Sequence, residues 1–227
     1  MAYPRALEAI LNADERDSWL VENRSRIAAT IDDVPALLDE IVCAAPEFVV
    51  LDVGFPEALL RPHSRRQWYW TYLFVPGRHP YSRAFRTLGR WYSAVRRRFH
   101  LMEQWVPARR FERRLSETVA YLRSEAQANV ILVEANPWNA LVERWNPGSG
   151  PQIDLFNDIL VRVASQEGAV FFPLDALSER DPGHRPVGDW IPDGSHFNAE
   201  GHRLIAGALA DLILTLHFGD PDDTTDR

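Results

Sequence analysis

FVVLDVG, Phe48 to Gly54, is a nearly continuous apolar run closed by glycine. Such a run, rich in β-branched residues and without polar alternation, suits a strand buried on both faces of a parallel sheet. Two more runs of the same kind follow, NVILVEA from Asn129 to Ala135 and AVFFPL from Ala169 to Leu174. Between them Ile153, Phe156, Ile159, Leu160 and Val163 recur at helical spacing, and Ala199 to Leu216 makes a long apolar helix after the third. Working back from Phe48, Asp32 and Asp33 cap a helix whose face is Leu37, Leu38, Ile41 and Val42 and which should end near Pro46. Ser18 to Glu22 is a short strand candidate, and Tyr3 to Asn12 a first helix with Ala6, Leu7, Ile10 and Leu11 on one side. This alternation predicts a three-layer α/β/α domain with a flavodoxin-like parallel sheet spanning 1–218. Ligands then belong at the loops leaving the strands, which begin at Asn23, Gly54, Asn136 and Asp175.

Composition agrees with one globular domain: 46% of the 227 residues are hydrophobic and 25% charged. A lone Cys43 allows no internal disulfide and no zinc spacing. The N-terminal residues lack the basic head and apolar run of a signal peptide, so the cytoplasm, or a membrane surface facing it, is the expected location. GDPDDTTDR, 219–227, has no apolar content and is expected to be a disordered acidic tail.

The net charge of -7 hides an asymmetry, because 15 of the 25 basic residues, all arginine, lie between Arg61 and Arg123 with only Glu103, Glu112 and Glu117 among them. Residues 61–114 also hold 12 of the 25 aromatics and separate two strands by more than an ordinary crossover, which predicts a helical insertion or lid. Phe85, Leu88, Tyr92, Val95, Phe99 and Met102 form its apolar stripe. Its aromatics can simply pack on the sheet while its arginines are solvated. Alternatively Arg96, Arg97 and Arg98 form a surface for an anionic glycan, substrate or membrane. The acidic total and the lack of any helix-turn-helix, RNA-binding or zinc-finger pattern argue against nucleic acid.

The strongest chemical signal is IPDGSHFNAEGHRLIA near the C-terminus. Asp193, three residues before His196, can orient its imidazole as a general base. The same stretch also reads as a capping loop with Asn198 as cap, the blander alternative, or as a metal site of Asp193, His196 and His202. Elsewhere no metal ligands cluster, and the reading adopted needs neither metal nor cofactor.

Asp193-Gly194-Ser195-His196 with Asn198 and Gly201-His202 resembles the last conserved block of the SGNH hydrolases, or GDSL esterases. YPRALEAIL resembles that family's first helix, VENRSRIAAT its second strand with the oxyanion loop, and FVVLDVGFPEA its third strand, where the family has Gly-x-Asn-Asp. The resemblance implies a serine esterase or deacylase acting on a small-molecule, glycan or lipid-linked ester, with catalytic Asp193 and His196 and oxyanion donors at Gly54 and the Ala28 backbone.

Three departures qualify this. No Gly-Asp-Ser block is present, so the resemblance implies a nucleophile upstream of Met1; Ser25 in the oxyanion loop is the substitute within the chain, with Ser195 a poorer one. Pro56 stands where the family has Asn, removing a donor whose loss costs roughly 10²- to 10³-fold in rate. A missing first strand would also leave its neighbours unpaired. The competing expectation is a catalytically inactive SGNH-fold scaffold that holds an anionic partner through its basic aromatic segment. The sequence does not define an oligomeric state.

Overall fold

The structure, a computed structural model, describes residues 3–13, 16–72, 82–99 and 101–219, the side chains of 69–72 and 82–86 excepted. The tail beyond 219 and the middle of the Arg-rich segment, 73–81, lie outside the described residues, as do the expectations placed on them.

In chain order the elements are α1 (Tyr3–Leu11), a 3-10 turn (Ile31–Leu37), α2 (Leu38–Ala44), β1 (Phe48–Asp52), α3 (Phe55–Ala58), α4 (Arg65–Tyr72) and α5 (Ser82–Arg98). There follow α6 (Ala108–Glu125), β2 (Asn129–Val133), α7 (Ala140–Trp145), α8 (Gly150–Glu167), β3 (Val170–Phe172), α9 (Ala176–Arg180), a second 3-10 turn (Val187–Trp190) and α10 (Ala199–Phe218). The three strands form a parallel sheet in the order β1-β2-β3, with Phe48 opposite Asn129 and Ile131 opposite Val170. The α/β class predicted from the apolar runs is therefore the observed one.

Strand side chains alternate between faces, and the two cores follow from that period. Val49, Leu51, Val130 and Leu132 pack against α6 and α8, where Phe111 and Phe156 meet with ring centroids 4.7 Å apart. Ile131, Val133 and Phe172 face the other way, onto α1 and α10 through Leu7, Leu11, Leu204 and Leu209. Both faces are covered by helices, which is why the strands read as nearly all apolar.

The strand expected at Ser18 to Glu22 does not form. β1 pairs only with β2 among the described residues, so its outer edge offers no ladder to this stretch. Instead a side chain satisfies the backbone there: Asn12 Oδ1 accepts from the Trp19 N–H at 2.9 Å, and Asn12 Nδ2 donates to the Trp19 carbonyl at 2.8 Å. Leu20 and Ile27 are left 79% and 73% exposed, as befits chain lying outside the sheet.

The Arg-rich excursion leaves and returns at one point. Arg61 and Glu103 exchange backbone hydrogen bonds of 2.9 and 3.0 Å as an antiparallel bridge, with α4 and α5 between them. Residues 108–114, read with the insertion, are the first turns of α6, whose Phe111, Leu115, Val119 and Leu122 are core. No helix among the described residues is long and apolar enough to cross a membrane.

Candidate active site

The loop from Ile191 to Asn198 joins the second 3-10 turn to α10 at the carboxyl end of the sheet. Gly194 turns it with φ +81°, a left-handed conformation that disfavours any Cβ; an added Cβ would also lie 3.0 Å from Asn139 Oδ1 and Val142 Cγ2. The turn brings the Ser195 and His196 N–H groups onto Asp193 Oδ1, each at 2.8 Å, while Asp193 Oδ2 lies 2.7 Å from His196 Nδ1. Burial works against the Asp193 charge but is outweighed by the His196 ring and these two N–H groups, which hold the carboxyl down to about 2. An ionised carboxylate at Nδ1 fixes the tautomer that carries its proton there, leaving the Nε2 lone pair directed outward. The imidazole is 83% exposed, so Nε2 can meet a group brought to it. Asn136 anchors the loop from the β2 side by donating to the Ser195 carbonyl at 2.8 Å.

The capping loop and the Asp-His pair, alternatives in the sequence, coexist in the structure. Asn198 Oδ1 accepts from the Gly201 N–H at 2.9 Å and so caps α10, while Asp193 serves its own loop and His196. His202 turns inward, its ring 6.2 Å from Tyr3 and 6.0 Å from Phe197, and burial lowers its pKa. Among the described residues no three His, Cys, Asp or Glu side chains are grouped to hold a metal ion.

The loop after β1 is wired differently. Gly54, at φ +108°, starts α3, and the fully buried Glu57 reaches back to it. One Glu57 oxygen accepts from the Gly54 N–H at 3.1 Å and the other from the Ile31 N–H at 2.7 Å. Burial pushes the Glu57 carboxyl up to about 7, although both N–H groups and Arg61 favour its charge. The Gly54 N–H, expected as an oxyanion donor, is thus directed at Glu57. Glu57 was not singled out in the sequence; its place three residues after the helix-initiating Gly54 resembles the acidic half of a capping box, the one signal that could have found it.

Ala28 has φ +55°, a left-handed conformation in which a non-glycine residue is strained. The resemblance expects an oxyanion donor at this backbone, and the Ala28 N–H makes no hydrogen bond among the described residues. Ser25 is exposed, and its N–H donates to Asn23 Oδ1 at 2.9 Å. Its hydroxyl bonds neither His196 nor any other described residue, so the loop does not bring this substitute nucleophile to the base.

Arg96, Arg97 and Arg98 do not act as one surface. Arg96 is tied down locally, donating to the Leu101 carbonyl at 2.6 Å and to the Tyr92 hydroxyl at 3.0 Å. Arg97 lies over the Trp145 ring, 5.9 Å from its centroid, and Arg98 is exposed. Successive helical residues point about 100° apart, which disperses any such run.

This fold has parallels among known proteins. Residues 101–204 match the GDSL-like lipase/acylhydrolase family. The fold of the chain is shared with LAE5, an α/β hydrolase from the metagenome of Lake Arreo, Spain (21% identity, TM-score 0.59), over 92% of this chain and 80% of that one. A catalytic mutant of Axe2, an acetylxylan esterase from Geobacillus stearothermophilus, is similar over 94% of this chain and 81% of its own at 16% identity and a TM-score of 0.61. A GDSL-like lipase from Parabacteroides merdae is similar over 92% and 78%, at 12% identity and a TM-score of 0.58. No curated protein sequence matches the chain.

Proposed function

We propose that the chain hydrolyses small acyl esters, glycan esters among them, with His196 as general base and a nucleophilic serine presented on a strand that lies upstream of Met1 and pairs with the open edge of β1. The observation that carries this reading is the 2.7 Å contact of Asp193 with His196 Nδ1, which leaves Nε2 free to take a proton at an exposed position. In the reaction the serine oxygen attacks the ester carbonyl and its proton passes to His196 Nε2. The same proton then leaves with the departing alkoxide, and water repeats the sequence on the acyl-serine. The Ala28 N–H is the donor left for the oxyanion, with Pro56 offering none and the Gly54 N–H held by Glu57. The acetylxylan esterase among the similar structures favours an acetylated glycan as substrate.

A fluorophosphonate probe tests this on the protein purified from its native host. Labelling of a serine outside residues 1–227, lost in His196→Ala and kept in Ser25→Ala, is the expected result. Absence of labelling would move the assignment to the second reading, a non-catalytic SGNH-fold binding protein. That reading is favoured by the commitment of the Gly54 N–H to Glu57 and by the absence of a serine hydroxyl bonded to His196 among the described residues.

A further inference from the structure

Where the Arg-rich excursion meets α7, Arg61, His63, Trp68, Ser93, Arg97 and Trp145 line a cavity of about 160 Å³. Two guanidinium groups, Arg61 and Arg97, line it beside a hydrogen-bonded pair, His63 and Ser93. Ser93 Oγ donates its single proton to the Gly89 carbonyl at 2.8 Å, so across the 2.7 Å contact it is His63 Nε2 that donates and Ser93 that accepts. A serine held this way is not an activated nucleophile. Burial, reinforced by Arg96 and Arg97, lowers the His63 pKa and so favours its neutral form.

Among the described residues the two arginines of this cavity have no carboxylate within ion-pair distance. Arg61 is half-buried with its guanidinium 3.7 Å from the Trp105 ring centroid, and Arg97 sits over Trp145. Arg61 also donates to the Pro56 carbonyl at 2.5 Å, a neutral partner, and feels the Glu57 carboxyl only at longer range. Neither arginine makes an ion pair with a described residue, and the carboxylates nearby are engaged, Glu57 with Ile31 and Gly54, and Glu103 weakly with Arg96 at 3.9 Å. Burial lowers the Arg61 pKa only to about 10, so it is cationic at neutral pH. Partly desolvated cations ordinarily have an anion against them, and planar guanidinium groups suit carboxylate and phosphate oxygens.

The position of the cavity is as telling as its charge. α7 touches the Gly194 turn through Asn139 and Val142 at its start, and its end supplies Trp145 and Asn146 to the cavity wall. Six helical residues span about 9 Å. We infer that this cavity is a subsite for an oxyanion, carboxylate or phosphate, carried on the substrate about 10 Å from its ester, with the half-exposed Trp145 stacking on the intervening sugar ring. The inference rests on the ester-hydrolase reading for its second half, the placing of the ester, and on the cavity alone for its first.

Calorimetric titration of the His196→Ala protein with inorganic phosphate and, separately, with glucuronate at low salt tests it without any turnover. Saturable binding of either anion is expected, weakened about tenfold or more in Arg97→Gln and in Arg61→Lys, which keeps the charge but not the planar stack. It should be unchanged in Arg90→Gln, which removes an exposed charge on the same helix. Phosphate alone or glucuronate alone would name the source of the oxyanion. No saturation by either, or equal weakening in Arg90→Gln, would overturn the subsite. Neutral acetyl ester hydrolysis by the His196 protein is read separately: turnover without anion binding breaks only this inference, and anion binding without turnover breaks only the esterase reading.

Discussion

Two loops of the molecule, the one before α10 and the one after β1, use the same materials, a carboxylate and backbone N–H groups, for opposite ends. In the loop after the second 3-10 turn, Asp193 gathers two N–H groups and then holds an exposed imidazole toward solvent. In the loop after β1, Glu57 gathers two N–H groups inside the core and presents nothing. A carboxylate at the surface keeps its charge and can orient a base, whereas one buried among the same partners is pushed toward neutrality and serves as a strut. The first loop leaves an imidazole open to solvent, and the second locks the backbone inside the core.

Substitutions can break that contrast. The largest effect should come from His196→Ala, which lowers acetyl ester turnover about 10²- to 10⁴-fold in serine-containing protein. Because the ring is exposed, urea unfolding should change by no more than about 0.5 kcal/mol. Turnover at the level of the unchanged protein would remove the base from His196.

Glu57→Ala should do the reverse, leaving two buried N–H groups without an acceptor at a cost of about 2 to 5 kcal/mol in the same urea assay. The strut also has a pH signature. Its folded pKa is raised above the unfolded value, so the native state binds the extra proton and stability falls as pH rises from about 4.5 to about 7. Glu57→Gln should flatten stability across that window; an undiminished slope would show that another group carries it.

Ala28→Gly sharpens the comparison at smaller scale. It relieves the left-handed strain but loosens the unfolded chain, for a net gain of about 0.5 kcal/mol in thermal unfolding, with the N–H at 28 retained. A loss of stability would mean that the Ala28 methyl is itself in a favourable contact.

The smallest effect belongs to His217, which bridges Glu47 at 2.5 Å and Asp17 at 3.1 Å. The Glu47 hydrogen bond raises its pKa, with Asp17 adding to this against some desolvation. Its contribution is therefore complete below the unfolded histidine pKa and fades as pH rises through the folded one. His217→Gln should lose that dependence in thermal unfolding followed from pH 6 upward.

The sequence was most legible where burial dictates composition. Phe48–Asp52 and Asn129–Val133 announce themselves because both faces are covered. Ser18 to Glu22 misled because a strand is a property of a pair, and propensity cannot report whether the partner edge is filled. Asp193 and His196 were readable because their contact is local, three residues apart. The Glu57 contact with Ile31 spans 26 residues, and only the fold brings these together. Arg96 to Arg98 looked like a unit because adjacent letters share a charge, whereas the helix sends them to a tyrosine, a cavity and solvent.

The pairing of β1 with β2 also has a meaning in time. As the chain leaves the ribosome, Val49 waits for Val130, about 80 residues later, before its inner edge is covered. At about 5 to 20 residues per second that is roughly 4 to 16 seconds of exposure for a sticky apolar segment.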